Sequence, residues 1–220
     1  MGNMKSAAIV IPIKTNNQRL PGKTTKDLLG RPLYDYLFQT VKGCELVDEI
    51  YVDSSDEYIL NKAFSEGFSI IERPETLNRP VTSGNDLLRF EMDYIQQDII
   101  CQCFVTMPFL SSETIDKSIK LLRQSEATSV LALCEVENRF WFNERPVNHD
   151  YRTLRGTQYM QPILQESGFY TFVKEAFLKE NSRITSERVQ LMVDLLECAD
   201  IDTESDFIFV ESLMKQGLYK

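Results

Sequence analysis

Histidine is nearly missing from this chain: His149 is the single one among 220 residues. A Ser–His or Cys–His hydrolase would have to be built on it, and no GxSxG nucleophile elbow accompanies it. His149 is therefore expected at the surface with no catalytic part. Cysteine is sparse as well, and Cys44, Cys101, Cys103, Cys134 and Cys198 are odd in number and lack CxxC spacing. That argues against a disulfide framework or a zinc ribbon and predicts reduced thiols, as in a cytosolic protein. Cys101 and Cys103 alternate within an apolar run, which assigns them to core packing. No apolar run approaches the roughly 18 residues of a membrane span, and no secretory hydrophobic region is present. The opening MGNMKS matches the myristoylation pattern, but Gly2 lies only a few residues before a strand expected to be buried, so no membrane partner is expected. Positive charge is in deficit, with a net charge of -9. This argues against nucleic acid as a partner, since a phosphate backbone needs a basic footprint. Neither the P-loop nor the GxGxxG fingerprint occurs.

What remains is ordinary for a globular protein, with 43% hydrophobic and 26% charged residues. There is no repeat, linker or low-complexity tract, so residues 1–220 are expected to form one domain. Short apolar runs at Ala7–Ile13, Glu49–Val52, Ser69–Ile71, Ile99–Thr106, Ser129–Val136 and Phe169–Val173 read as strands. Helical spacing occupies the segment after Leu33, the stretch from Ser54–Asp56 to about Ser65, about 85–97, about 113–124, and Phe207–Lys215. Strands alternating with helices predict a three-layer α/β fold, a mostly parallel sheet with helices on both faces. Residues 138–162 lose all periodicity and are read as an irregular excursion, a lid or a dimer contact.

The most informative segment is Ala7–Lys23, AAIVIPIKTNNQRLPGK. A buried strand runs into a polar loop with Lys14, Arg19 and Lys23, and turn chemistry at Asn16-Asn17 and Pro21-Gly22. Open α/β sheets bind ligands at the carboxyl ends of their strands, so this loop is suited to phosphates. Local cations and a divalent metal can override the global negative charge. Near the other end, DIDTESD carries Asp200, Asp202 and Asp206. On a strand, Asp200 and Asp202 would project to one face and could share a hard cation. Alternatively, Thr203 caps the last helix and Asp202 or Glu204 answers its dipole.

These motifs resemble those of the cytidylyltransferases that activate sugar acids, the CMP-sialate and CMP-Kdo synthetases. Their first loop typically reads IPAR, a short polar stretch, then RLPGK; here Ile11–Lys14 reads IPIK and Arg19–Lys23 reads RLPGK. Four more segments follow in the family's order: DEIYVDSSDEYI (Asp48–Ile59), ERPETL (Glu72–Leu77), SGFYTF (Ser167–Phe172) and ADIDTESDF (Ala199–Phe207).

The resemblance implies a nucleotide-diphospho-sugar transferase-like fold and transfer of CMP from CTP to a sugar acid or related anionic acceptor, with release of pyrophosphate. It implies that Lys14, Arg19 and Lys23 are catalytic and bind nucleotide together with Thr24, Arg73 and Ser83. It implies Mg²⁺ held by Asp200 and Asp202, in the sialate manner, because VTMPFL after the fourth strand lacks the acid of the Kdo type. A cytoplasmic homodimer is implied too. Arg145, Arg152, Arg155 and Lys174 are candidates for the cation that meets the acceptor. Two alternatives stand beside this reading: a nucleotidyltransferase for a phosphonate or polyol phosphate, and a catalytically silent nucleotide-binding relative.

The chain departs from the pattern at several places. Lys14 replaces an arginine and loses its bidentate fork. Thr24 stands where an asparagine touches cytosine, and Pro80 where the family has an aspartate. The strand end that usually reads QPTSP is Phe104-Val105-Thr106-Met107-Pro108. The lost glutamine implies that the acceptor is not sialic acid itself, or that catalysis has decayed.

Overall fold

The computed structural model describes residues 5–15, 17–79, 81–153 and 155–217. Gly2, Asn16 and Pro80, which entered the sequence reading, lie outside them. Eight strands form the central sheet: β1 (Ala7–Pro12), β2 (Glu49–Ser54), β3 (Ser69–Glu72), β4 (Ile99–Gln102), β5 (Ser129–Val136), β6 (Ile163–Glu166), β7 (Tyr170–Val173) and β8 (Arg188–Met192). Their order is β6-β5-β7-β4-β1-β2-β3, with β8 also paired to β5 off this path. β3, β2, β1 and β4 run parallel to one another, and so do β8 and β5. β7 is antiparallel to β4 and β5, and β6 is antiparallel to β5. The expected mostly parallel sheet is present.

Among the described residues six α-helices pack around it: α1 (Leu33–Lys42), α2 (Glu57–Ser65), α3 (Gly84–Glu91), α4 (Ser112–Gln124), α5 (Lys174–Glu180) and α6 (Glu204–Lys215). The two layers follow from the alternation of β1. Ala7, Ile9, Ile11 and Ile13 join the core beneath α1, α2 and α4, while Ala8 and Val10 join the core beneath α3 and α5. A strand buried on both faces has no room for polar side chains, hence its unbroken apolar run. A third cluster, with Leu20, Leu28, Leu33, Ile201, Phe207 and Val210, pins the polar loop after β1 to α6. All five cysteines are free. Burial pushes the Cys44 and Cys101 thiols up to about 12, so these are packing groups.

Several boundaries differ from expectation. The fourth strand stops at Gln102, because Phe104–Thr106 turn out to line the site. α3 ends at Glu91, with Met92 as its C-cap, well short of 97. α6 begins three residues early because Thr203 and Asp206 form a capping box. β6, β8 and α5 were not expected. β8 is a five-residue strand in which only Val189 and Leu191 are apolar and partly covered, and α5 is shorter than two full turns.

The excursion carries a two-residue ribbon, Trp141–Phe142 against Arg145–Pro146. Its turn needs positive φ at Asn143 and Glu144; the absence of the usual Asn-Gly or Asp-Gly hid it. Among the described residues, no helix is long and apolar enough to cross a membrane.

Phe172 is fully buried and stacks against Phe177 with ring centroids 5.4 Å apart. Phe172→Ala should destabilise the fold by about 3–5 kcal/mol, whereas Phe209→Ala, on the exposed face of α6, should stay within about 0.5 kcal/mol. Urea denaturation of the two variants checks this, and equal midpoints would refute the assignment of the core.

Candidate active site

The carboxyl ends of β1, β2 and β4 open on one side of the sheet. There the backbone leaves β1 and turns on two internal hydrogen bonds. Thr24 Oγ1 and Asn17 Nδ2 donate to the Lys14 carbonyl at 2.9 and 3.0 Å. Gly22 at φ 70 permits the tight turn that leads into Lys23. Leu20 is buried and holds the loop down. The loop is thus folded around its own polar groups, with Lys14 and Arg19 exposed above.

Two adjoining cavities lie along it. One, of about 410 Å³, is lined by Lys14, Gln18, Arg19, Lys23, Arg79 and Asp202 among others. The other, of about 250 Å³, has apolar walls from Leu87, Phe104 and Val105, with Gln102, Thr106 and Arg183 between them. Lys14, Asn17 and Lys23 line both. A cation-rich compartment therefore opens into a partly aromatic one, with lysines at the junction.

Asp202 faces these cations. Arg19 Nη2 lies 2.7 Å and Lys23 Nζ 3.1 Å from its Oδ1. Lys23 is buried and also donates to the Ile201 carbonyl. Arg19 is largely exposed, so its bond to Asp202 adds little to stability and is free to exchange. Asp200 sits beside Asp202. Burial raises its pKa, Thr106 lowers it by a hydrogen bond, and Asp202 raises it by like charge.

The 199–203 stretch is not a strand, so the two-residue alternation used to pair these acids does not apply. A loop brings them together. Of the alternatives for this motif, Thr203 does cap α6. The acid that completes the box is Asp206, whose Oδ2 accepts from the Thr203 and Asp202 amides.

Arg73 was expected over the nucleotide, and it occupies a different environment. Its guanidinium is fully buried and clamps Asp53, with Nε 3.0 Å and Nη2 2.7 Å from Oδ2. Asp53 lies on β2 and Arg73 just beyond β3, so the pair sutures two strand ends below the loop. Glu91, from the last turn of α3, is buried against the same pair. Among the described residues no donor reaches either of its oxygens. Burial, then the adjacent Asp53 carboxylate, pushes its pKa well above the usual range. A proton on Glu91, directed at Asp53, reconciles the two acids with one arginine. Lys14, above, has its pKa lowered by burial and by Arg73, with Asp53 opposing.

The other expected residues are placed as follows. Thr24 lines the smaller cavity with its hydroxyl spent on Lys14. Ser83 caps α3 in a box with Asp86, and its neighbour Gly84 lines the cavity. Met107 does not face the site; it is buried against Gly168, where an added Cβ would meet its sulfur at 2.7 Å. None of Arg145, Arg152, Arg155 and Lys174 lines either cavity. Lys174 donates to the Met92 and Ile95 carbonyls, and Arg155 lines a separate cavity in the excursion. His149 lies in that excursion cavity with its ring against Trp141; its nitrogens are buried without a partner among the described residues, so it is less exposed than expected. Sequence reasoning missed Asp53, Glu91, Gln102 and Arg183.

As to a metal, Asp200 and Asp202 offer hard oxygen donors side by side, and an opposing cation would relieve the repulsion that raises Asp200. That fits Mg²⁺ shared with phosphate oxygens. Among the described residues no group of three or more His, Cys, Asp or Glu side chains converges on a metal position.

Because Glu91 has its pKa raised in the fold, the native state holds a proton that the unfolded chain loses near pH 4.3. The stability linked to it is full below that pH and is lost as pH rises toward the folded value. Glu91→Gln should therefore gain on the parent protein between pH 5 and 8. Paired urea titrations across that range test this; a constant difference would remove the buried proton.

The family model described as Cytidylyltransferase matches residues 8–216 of this chain. Pseudaminic acid cytidylyltransferase of Campylobacter jejuni is 22% identical over 94% of this chain and 95% of that protein. The 3-deoxy-manno-octulosonate cytidylyltransferase of Chloroherpeton thalassium is 22% identical over 96% of this chain and 99% of that one. Among solved structures, CMP-2-keto-3-deoxy-manno-octonic acid synthetase complexed with CTP superposes with a TM-score of 0.72, at 17% identity, over 96% of this chain and 99% of that one. That likeness is one of fold.

Proposed function

We propose that this chain, which belongs to the cytidylyltransferase family, transfers CMP from CTP to a sugar acid and releases pyrophosphate. The observation that carries the reading is the cation-lined cleft at the end of β1, with Lys14 and Lys23 at the junction of two compartments and Asp200 and Asp202 beside it. An acceptor hydroxyl attacks the α-phosphorus of CTP, and the bond to the pyrophosphate oxygen breaks. Such in-line displacement needs positioning and charge neutralisation more than covalent chemistry. Arg19 and Lys23 meet the outer phosphates and Lys14 holds the junction, stabilising the leaving pyrophosphate. Asp200 and Asp202 are the residues to hold Mg²⁺, which when bound supplies positive charge at the reacting phosphate. Arg73 contributes from below, fixing the strand ends and lending its charge to the Lys14 environment.

The relatives' names favour an acid of the pseudaminate or Kdo class over a phosphonate or polyol phosphate. A homodimer through the excursion is part of the reading, supported by the exposed Trp141, Phe142 and Tyr159. Five free thiols and a nucleoside triphosphate substrate suit the cytoplasm.

The decisive experiment is pyrophosphate release with CTP, UTP, ATP and GTP against pseudaminate, N-acetylneuraminate and Kdo. No release with CTP and any acid would defeat the proposal. Within it, Lys23→Ala should weaken CTP binding about tenfold to a hundredfold and CMP binding much less, since the lost charge-assisted contacts are to the outer phosphates. Calorimetric titration of both ligands checks this, and equal losses would move Lys23 away from the leaving group.

Asp202→Asn should abolish Mg²⁺-dependent turnover. In excess EDTA it should bind CTP at least as tightly as the parent, because Asp202 competes with phosphate for Arg19 and Lys23. Weaker binding without metal, or turnover that survives at millimolar Mg²⁺, would count against these roles.

A further inference from the structure

Arg183 lines the smaller cavity, as Lys23 does, and takes no part in the chemistry above. It follows α5, where Asn181 caps the helix in the left-handed conformation. That turn is fastened to α3: Asn85 Nδ2 donates to the Asn181 carbonyl at 2.7 Å, and Arg89 Nη2 to its Oδ1 at 2.6 Å. On the other side, Thr185 is buried and its amide donates to Ser129 Oγ at 2.9 Å. The backbone carrying Arg183 is therefore held from both sides.

The side chain is held too. Its guanidinium lies 3.6 Å from the centroid of the Tyr170 ring and 5.9 Å from that of Phe104. Nη1 donates to Gln102 Oε1 at 2.7 Å, and Gln102 is itself buried at the end of β4. Among the described residues no carboxylate lies within ion-pair distance of Arg183. A half-buried guanidinium whose fixed partners are two aromatic faces and a neutral amide keeps its charge uncompensated, and Arg183 lines a cavity of about 250 Å³. Such a fork matches the two oxygens of a carboxylate. Lys14 and Lys23, assigned above to phosphate, line the same cavity, whose apolar walls are Leu87, Phe104 and Val105, so Arg183 is left to meet a second anionic group there.

We propose that Arg183, positioned by Gln102 and the Tyr170 ring, binds the carboxylate of the acceptor acid. This rests on the sugar-acid reading above and names the residue that selects within it. It also answers the loss of a glutamine at the Phe104 position: the polar contact to the acceptor comes from another element, the turn after α5.

The test uses the full chain with pseudaminate, N-acetylneuraminate and Kdo as acceptors, and the methyl ester of whichever acid is turned over. CTP affinity is measured separately by calorimetry. Arg183→Ala and Arg183→Lys should raise the acceptor KM about tenfold to a hundredfold while leaving CTP affinity within about twofold. The parent should prefer the acid to its ester, and Arg183→Ala should lose that preference, which a merely structural role would not remove. Gln102→Leu, which frees the guanidinium without deleting it, should raise the same KM by less and keep the preference, and it stands in if the alanine variant does not fold. Weaker CTP binding with an unchanged acceptor KM would assign Arg183 to the nucleotide and overturn the inference alone. Unchanged kinetics in every variant would overturn it as well. CTP binding without turnover of any acid would remove both the sugar-acid acceptor and Arg183's role, and absence of CTP binding would remove the nucleotide reading beneath them.

Discussion

The Asp53–Arg73 pair is the interaction on which the site rests. Neither side chain has any exposure, and burying two charges is costly unless geometry and extra hydrogen bonds compensate. Here they do: the guanidinium takes both oxygens of the carboxylate and also the Asp53 carbonyl at 3.0 Å. Asp53 in turn accepts the Ile13 amide at its carbonyl, at 2.8 Å. One ion pair thus fixes where β2 and β3 end and where the chain leaves β1. Since the cationic loop begins at the next residue, Lys14, the placement of the phosphate-facing charges follows from a bond that no ligand touches. Glu91 adds a constraint of its own, because a second acid at a pair already balanced must keep its proton.

A second theme is how an acidic protein maintains a cation-rich cleft. With a net charge of -9, the long-range field does not favour a triphosphate, so the attraction has to be local. The structure achieves it by bringing Lys14, Arg19, Lys23 and Arg79 into one wall, with Asp202 as the acid among its lining residues. Without ligand those cations would repel one another, and Asp202 bridges two of them. An incoming phosphate must displace it. The exchange frees a carboxylate at the place where, in the proposed reaction, a divalent cation is needed. In that proposed reaction Asp202 would be a partner of the cations at one stage and a ligand at the next.

How much of this was legible in the sequence depends on whether a residue's role is local. β1, its loop and the capped last helix were legible because their signals are contiguous: an apolar run, a cluster of cations, Thr203 three residues ahead of an acid. Gln102 and Arg183 were not, because each is unremarkable in its own segment and they gain meaning only where β4 meets the turn after α5. Glu91 occupies what looks like an ordinary polar position near a helix end. Arg73 was legible as a special residue beside a turn proline, yet its direction was not, since the sequence does not say that Asp53 lies on the neighbouring strand. Met107 failed for the same reason. Chain order places it beside Thr106, but the bend after β4 turns it toward Gly168 and into the core.

The two compartments also differ in how their specificity arises. The side proposed for phosphate presents Lys14 and Arg19, exposed side chains that can follow a charged, mobile chain, around the buried Lys23. The other side is built from groups that cannot move: Gln102 is sealed in β4, Tyr170 is fastened through its hydroxyl to Glu166 at 2.6 Å, and the turn carrying Arg183 is tied to α3. Rigid donors discriminate well, because a substrate that fails to match leaves them unpaired in a partly buried place. Flexible donors discriminate poorly but tolerate the displacement that a leaving group undergoes. A transferase that must hold one reactant still while releasing a piece of the other needs both kinds, and β1 and β4 deliver them at adjacent strand ends because the sheet runs parallel there.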